Sequence, residues 1–167
     1  DRRLLANVAL YHMEWDDIQI NVDNPNTPVF DPSIYNAGKA HSTGIELELQ
    51  ALATEQLTLG AALSVQQAEY DEGTLSSGDA LDKIPYAPKY SGDLNAEYRI
   101  PVGSGEISFI AEMLLRGESY LTLDNQADGR VDDYQLYNAR VAYTSEDGRW
   151  GVTLWGKNLA DETVKQR

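Results

Sequence analysis

From Gly44 onward the chain alternates. Residues 44–51 read G-I-E-L-E-L-Q-A, so Ile45, Leu47, Leu49 and Ala51 share one face of an extended strand and Glu46, Glu48 and Gln50 share the other. Glu and Leu both favour helix, but on a helix these charges would scatter around the axis; only an extended backbone separates them. The two-residue period recurs five more times. Leu57 to Val65, Leu94 to Ile100, Ile107 to Leu115, Tyr137 to Tyr143 and Val152 to Leu154 mark the apolar positions of the later strands. An earlier strand, Leu4 to Val22, alternates less cleanly. Across the six clean strands, 24 positions on the apolar face carry no charge, whereas nine of 23 on the opposite face are charged. One face excludes ions and the other is wet.

The connections differ in kind. Residues 52–56, 101–106 and 144–149 are short; 23–35, 71–89 and 117–133 are long, polar and acidic. Because short and long alternate strictly, an antiparallel up-and-down meander of about seven strands places every tight turn at one end and every long loop at the other, as in outer-membrane barrels. A tight turn at 101–106 sets Tyr98 opposite Phe109, Leu94 opposite Met113 and Asn95 opposite Glu112. The same count across 144–149 sets Arg140 opposite Trp155, which predicts a cation–π contact of about 0.5–2 kcal/mol.

Alternation alone leaves two orientations open. In a soluble lipocalin-like barrel the apolar face points inward and grips a lipophilic small molecule; in a membrane barrel it points outward to lipid. Three features favour outward. Small residues (Ala51, Ala61, Ala96, Ala111, Ala139) are mixed with large ones on the apolar face. Tyr98, Tyr143 and Trp150 stand beside short turns, where an interfacial aromatic girdle belongs. The asymmetry of the connections runs the length of the chain. The soluble extracellular barrel stays as the alternative. Seven strands do not make a bacterial single-chain barrel, whose strand number is even, so either the chain is a fragment of a larger barrel or an open sheet edge is covered by something else.

Composition narrows the field further. The chain has 167 residues, 42% hydrophobic and 24% charged, which is one folded domain's worth. A net charge of -14 disfavours nucleic acid, which attracts Lys/Arg-rich surfaces. The absence of Cys excludes disulfides, Cys-ligated zinc and thiol catalysis. No run of apolar residues is long enough for a transmembrane helix, a fact with no bearing on spanning strands. Ten Tyr and three Trp against two Phe suit boundaries that are apolar on one side and wet on the other.

Four stretches, in order, resemble the C-terminal part of the barrel of TonB-dependent outer-membrane receptors. Tyr11 to Ile20 resembles an aromatic-rich "F-Y-x-x-Y-x-D-h-Q" strand, with Tyr11 and Trp15 at the aromatic positions. Residues 36–48, N-A-G-K-A-H-S-T-G-I-E-L-E, resemble "N-x-G-x-x-x-x-x-G-h-E-h-E". Ile84-Pro85-Tyr86-Ala87-Pro88 followed by Asn95-Ala96-Glu97-Tyr98 resembles a "P-x-x-P" entry to a descending strand. Trp155 to Glu162 resembles a near-terminal "h-x-N-L-x-D" strand end. The resemblance implies an all-β fold, a segment of a 22-stranded transmembrane β-barrel closed around a plug. Residues 1–167 would be a partial barrel domain, with the plug and the last strand outside it. It implies the bacterial outer membrane, outer-membrane lipid as partner, and TonB and the plug as partners through an N-terminal part. It also implies TonB-energised uptake of a small-molecule nutrient such as a ferric siderophore, cobalamin or a saccharide.

Candidate sites are few. His12 and His41, the only histidines, lie in separate segments without H-x-x-x-H or H-E-x-x-H spacing and read as polar strand or loop residues. Residues 124–129, D-N-Q-A-D-G, echo a calcium loop, but Gln126 and Gln135 stand where Asp/Asn and Glu belong, so an Asp-Gly turn is the better reading. No G-x-S-x-G elbow occurs, and Ser42 and His41, as strand neighbours, point to opposite faces. No catalytic residue, metal or cofactor is expected, and no nucleic-acid partner. The charges of the wet face, including Glu46, Glu48, Asp93, Glu112 and Arg140, would line a lumen and face a plug. Tyr70, Arg116 and Tyr120 fall on the lumen side near the long loops and are the candidate ligand-binding residues.

Overall fold

The structure, a computed structural model, describes residues 3–23, 32–36, 38–73 and 80–165. The inner parts of the first two long connections, 24–31 and 74–79, lie outside the described residues. The strands are β1 (Leu4–Trp15), β2 (Gln19–Asp23), β3 (Pro32–Asn36), β4 (Lys39–Leu52), β5 (Leu57–Glu72), β6 (Tyr90–Pro101), β7 (Gly105–Arg116), β8 (Ser119–Tyr120), β9 (Arg130–Val131), β10 (Tyr134–Ser145) and β11 (Gly151–Gly156), with one 3-10 turn at Ala127–Gly129. Seven of them form one antiparallel sheet in the order β1-β4-β5-β6-β7-β10-β11; β2-β3 and β8-β9 are small separate hairpins. The seven-strand meander expected from alternation is therefore observed.

Each turn is made by residues suited to it. Between β6 and β7, Gly103 adopts φ +58, and Val102 and Gly105 exchange both backbone hydrogen bonds, as in a two-residue hairpin loop. Thr54 Oγ1 accepts the N–H of Gln56 and Leu57 after β4. Before β6, the Pro-x-x-Pro stretch folds into a turn in which Ala87 N–H donates to the Ile84 carbonyl. The side-chain amide of Gln66 holds the Pro88 carbonyl at 3.1 Å.

The first strand departs from expectation. Rather than running from Leu4 to Val22, it stops at Trp15; Asp17 takes φ 56, and Ile18 N–H turns to the Gly38 carbonyl. Asp is among the few non-Gly residues that enter this left-handed region readily. Gly38 itself has φ +87, and a Cβ there would lie 2.5 Å from the Glu72 carbonyl oxygen, so only glycine fits. The register of β4 against β5 shifts at that point, between Lys39 and Ala40.

The predicted registers hold: Tyr98 opposes Phe109, Leu94 opposes Met113 and Asn95 opposes Glu112. Arg140 opposes Trp155 as well, but the expected contact does not form. The cation over the Trp155 ring is the Lys157 ammonium, 5.7 Å from its centroid. Lys157 follows Trp155 by two residues and shares its face, so it reaches the indole without crossing to another strand.

Ladder pairing places the apolar positions of all seven strands on one surface. Leu10 (78% exposed), Leu154 (73%) and Val8 (64%) stand on it uncovered. The charged surface is the hollow one. A groove of about 510 Å³ runs along it past Asn7, Glu46, Glu48, Asp93 and Arg116, and a second of about 400 Å³ past Glu112, Asn138, Arg140 and Trp155. The apolar residues therefore do not converge on a dry interior, as the soluble-barrel alternative requires. The buried hydrophobic residues among those described are Ile20, Ala40, Leu81 and Val131; Ile20 and Leu81 pack with Ile18, Tyr70 and Leu123 beneath the long connections. On β6, Tyr90 and Tyr98 cap the apolar face at its two ends. Eight residues of strand span roughly 27 Å, or about 20 Å in projection at a tilt near 40°, close to the ~25 Å apolar band of such barrels.

Candidate functional site

Three strand pairs deliver the long connections to one end of the sheet, and the candidate residues sit where they arrive. Arg116 closes β7, on the hollow face, level with Ser91 and Tyr134. Its guanidinium donates to the carbonyls of Leu115 (2.8 Å) and Gly92 (3.3 Å), which fixes it half-buried against the wall. It borders the 510 Å³ groove on one side and, on the other, a recess shared with Tyr86, Ser119, Tyr134 and Lys165.

Tyr120, on β8, lines a neighbouring recess of about 530 Å³ with Glu69, Lys83, Lys89, Glu118 and Asp133. Its ring carries the Lys83 ammonium at 5.3 Å, and its carbonyl accepts the Tyr86 N–H at 2.9 Å. Tyr70 lies elsewhere. It is on the hollow face, opposite Ala40, but its ring packs into the Ile20–Leu81 cluster. The three candidates thus share an end of the sheet without sharing a recess. Arg116 and Tyr120 flank Gly117 and Ser119, whereas Tyr70 supports the connections above it.

Several residues not singled out by the sequence organise this end. Asn125, at φ 48, accepts the Lys83 N–H (2.8 Å) and donates to the carbonyls of Lys83 (3.1 Å) and Thr122 (3.2 Å), so one side chain ties the second long connection to the third. The available signal was its place inside D-N-Q-A-D-G, because Asn tolerates positive φ better than most residues. This stretch is a turn leading into the 3-10 helix, in line with the turn reading; Gln126 N–H donates to Asp124. An ionic chain runs from Lys83 to Glu118 (3.8 Å), then to Arg130 (2.7 Å) and Asp132 (3.1 Å). The side chain of Lys165 reaches the carbonyls of Asp128 and Arg130, strapping the chain after β11 to the third connection. Asn158, of the near-terminal motif, receives Glu162 N–H on its Oδ1 and donates to the Glu162 carbonyl, both at 2.9 Å.

The electrostatics of this end are one-sided. Connections 16–38, 71–89 and 117–133 together hold thirteen carboxylates and three cationic side chains. At the opposite end, the Ser145 hydroxyl (2.7 Å) and the Arg149 N–H (3.1 Å) hold the Asp147 carboxyl below the usual carboxylate range. The two histidines, separate in sequence, are neighbours in space: their ring centroids are 6.3 Å apart.

Comparison with known proteins agrees with this geometry. A family profile described as TonB dependent receptor-like, beta-barrel matches residues 1–159. Among solved structures, the ferric yersiniabactin uptake receptor FyuA of Yersinia pestis superposes with a TM-score of 0.78 at 20% identity, over 98% of this chain and 23% of that one. The ferric preacinetobactin receptor BauA of Acinetobacter baumannii gives 0.71 at 18% identity, over 97% and 24%. The ferric-catecholate import receptor Fiu of Escherichia coli K12 gives 0.69 at 21%, over 97% and 22%. The chain therefore spans about a quarter of the length of these receptors.

Proposed function

Since the chain belongs to the TonB-dependent receptor-like β-barrel family, we propose that it forms part of the wall of a bacterial outer-membrane receptor that takes up a ferric siderophore with energy delivered through TonB. The observation that carries the reading is the division of one sheet into an exposed apolar convex face and an ionic hollow face, with every long connection at one end. Lipid rewards the first and water the second.

In this reading the wall contributes two things. The mouth end, with Arg116 and Tyr120 bordering adjacent recesses, supplies polar and aromatic contacts for the arriving complex. The hollow face, where Glu46, Glu48, Asp93 and Glu112 project, offers charged partners to a plug domain that fills the lumen. The ligands of the similar receptors, ferric yersiniabactin, ferric preacinetobactin and ferric catecholates, differ from one another, and this supports the class rather than a member of it. The test is uptake of radioactive iron as a panel of ferric chelates by cells expressing the receptor that carries this chain. Accumulation of at least one chelate that disappears when TonB is deleted supports the proposal. Accumulation of none, in cells where the receptor is folded in the outer membrane, refutes it.

A further inference from the structure

The chain's two histidines stand on one surface. His12 of β1 opposes Thr43 of β4, and His41 opposes Glu14, so the imidazoles occupy a diagonal of the ladder. Their parity is that of Leu10 and Ile45, the lipid-facing set. Two residues beyond those, toward the long connections, the convex face becomes polar: His12, Glu14, His41 and Thr43 replace the aliphatic run. This places the pair on the outer surface, just above the apolar band, on the face opposite Arg116 and Tyr70.

Both rings are held by neighbouring side chains, His41 by one and His12 by two. His41 Nδ1 lies 2.7 Å from Asp71 Oδ1, so that its N–H points at a carboxylate and the Nε2 lone pair is directed away from it. That is the arrangement by which a carboxylate orients a histidine toward a metal ion. His12 Nδ1 lies 2.6 Å from Thr43 Oγ1 and Nε2 lies 3.1 Å from Glu14 Oε1. In the tautomer that satisfies both contacts, Nε2–H donates to the Glu14 carboxylate and Nδ1 accepts the Thr43 hydroxyl, so an ion would replace the Nε2 proton beside a carboxylate oxygen.

Two imidazoles bound to one tetrahedral ion, with metal–nitrogen bonds of 2.0–2.1 Å, have ring centroids roughly 5 Å apart. The observed 6.3 Å closes to that by rotation of the His12 side chain, which is 56% exposed. Among the described residues, no three His, Asp or Glu side chains are already gathered as a metal site, so the protein supplies two ligands and solvent completes the shell.

We propose that His12 and His41 form a surface site for an imidazole-seeking divalent transition ion, Cu²⁺ or Zn²⁺, on the outside of the barrel. Asp71 acts as a positioning residue that orients His41. Imidazole selects these ions over Mg²⁺ and Ca²⁺, which prefer oxygen. The site uses none of the candidate ligand-binding residues, and its place on the outside of the wall rests on the barrel reading.

The test uses Cu²⁺ as probe on the whole receptor carrying this chain, reconstituted in lipid nanodiscs, with electron spin-echo spectroscopy to count coordinated imidazoles. The account expects one Cu²⁺ coupled to two imidazoles that is absent from the His12→Ala/His41→Ala double variant and is displaced by Zn²⁺ only in large excess. Each single variant should leave one coupled imidazole, and Asp71→Asn should weaken binding by about 10–100-fold with the coordination unchanged. Both histidines lie on the protein surface, so circular dichroism and heat-modifiable gel mobility confirm that each variant is folded. Equal Cu²⁺ binding by the unsubstituted and double-variant receptors, or coupling to fewer than two imidazoles at the difference site, overturns the proposal.

Discussion

A step of one residue along β4 changes the solvent a side chain meets. Leu47 projects from the convex face and its neighbours Glu46 and Glu48 from the hollow one, where they line the larger groove. Arg at Leu47, Ala96 or Ala111 is therefore expected to cost up to about 2–4 kcal/mol near the bilayer midplane. Arg at Thr58 or Asn95, on the hollow face, should be mild. Chemical unfolding of the receptor from lipid vesicles measures both, and equal costs would contradict the assignment of faces. Asp147 gives a pH-dependent expectation at the short-turn end. Its carboxyl is held below the usual range by Ser145 and Arg149, so its contribution is complete above the unfolded-state value and is lost as pH falls through the lower, folded one. The Arg149 amide proton should thus shift and exchange faster on the acid side, and Asp147→Asn should flatten that response. Not every residue was equally legible. Alternation put Tyr70, Arg116 and Tyr120 near the mouth, but could not show that Tyr70 would pack on Ile20 and Leu81, because those partners come from other connections. The Arg140–Trp155 register was legible, yet the ring's cation is Lys157, since register specifies opposition and side-chain reach decides contact.

The elements were legible in proportion to how strictly they alternate. From β4 to β11 the period of two survives because each strand of the sheet has an apolar face and an ionic one, and a slipped register would put every ion on the apolar face. The first strand lacks that protection near its upper end, where His12 and Glu14 occupy the convex face, and its break at Asp16–Ile18 went unseen. β2 is absorbed into that first strand in the sequence pattern, and β3 and the β8-β9 hairpin are hidden inside connections that read as loops, because pairs of five and two residues carry too little pattern. What holds these connections together is a small number of side chains rather than a core. Asn125→Ala removes two hydrogen bonds between the second and third connections and one within the third, each typically worth about 0.5–1.5 kcal/mol. Hydrogen exchange at the Lys83 amide should accelerate at least tenfold while amides in the middle of β5 and β6 keep their protection. An unchanged Lys83 amide would show that the clamp does not bear on the connection's order.

At the scale of the whole molecule, charge and grease are sorted in two directions. Across the sheet, ions occupy the hollow face; along it, thirteen carboxylates gather in the long connections against three cationic side chains. Such a mouth slows the approach of a polyanionic complex and speeds a cationic one, and salt screens both effects. In the receptor that carries this chain, raising ionic strength should therefore accelerate capture of an anionic ferric chelate and slow a cationic one, and stopped-flow fluorescence would report the opposite trends. The convex face raises the larger question, since aliphatic side chains such as Val8, Leu154 and Leu10, 64–78% exposed, would be an aggregation surface in water and in lipid are an ordinary boundary. The most direct measurement is a nitroxide scan along β5 and β7 of the receptor in a bilayer, reading collision with oxygen, which dissolves in lipid, against a water-soluble nickel chelate. Labels at Leu59, Ala61, Leu63, Phe109, Ala111 and Met113 should meet oxygen, and those at Gly60, Ala62, Ser64, Ile110 and Glu112 the aqueous reagent or a protein-filled lumen, alternating with a period of two. Labels at Leu63 and Met113 that are shielded from lipid while Ala62 and Glu112 are exposed to it would contradict the account.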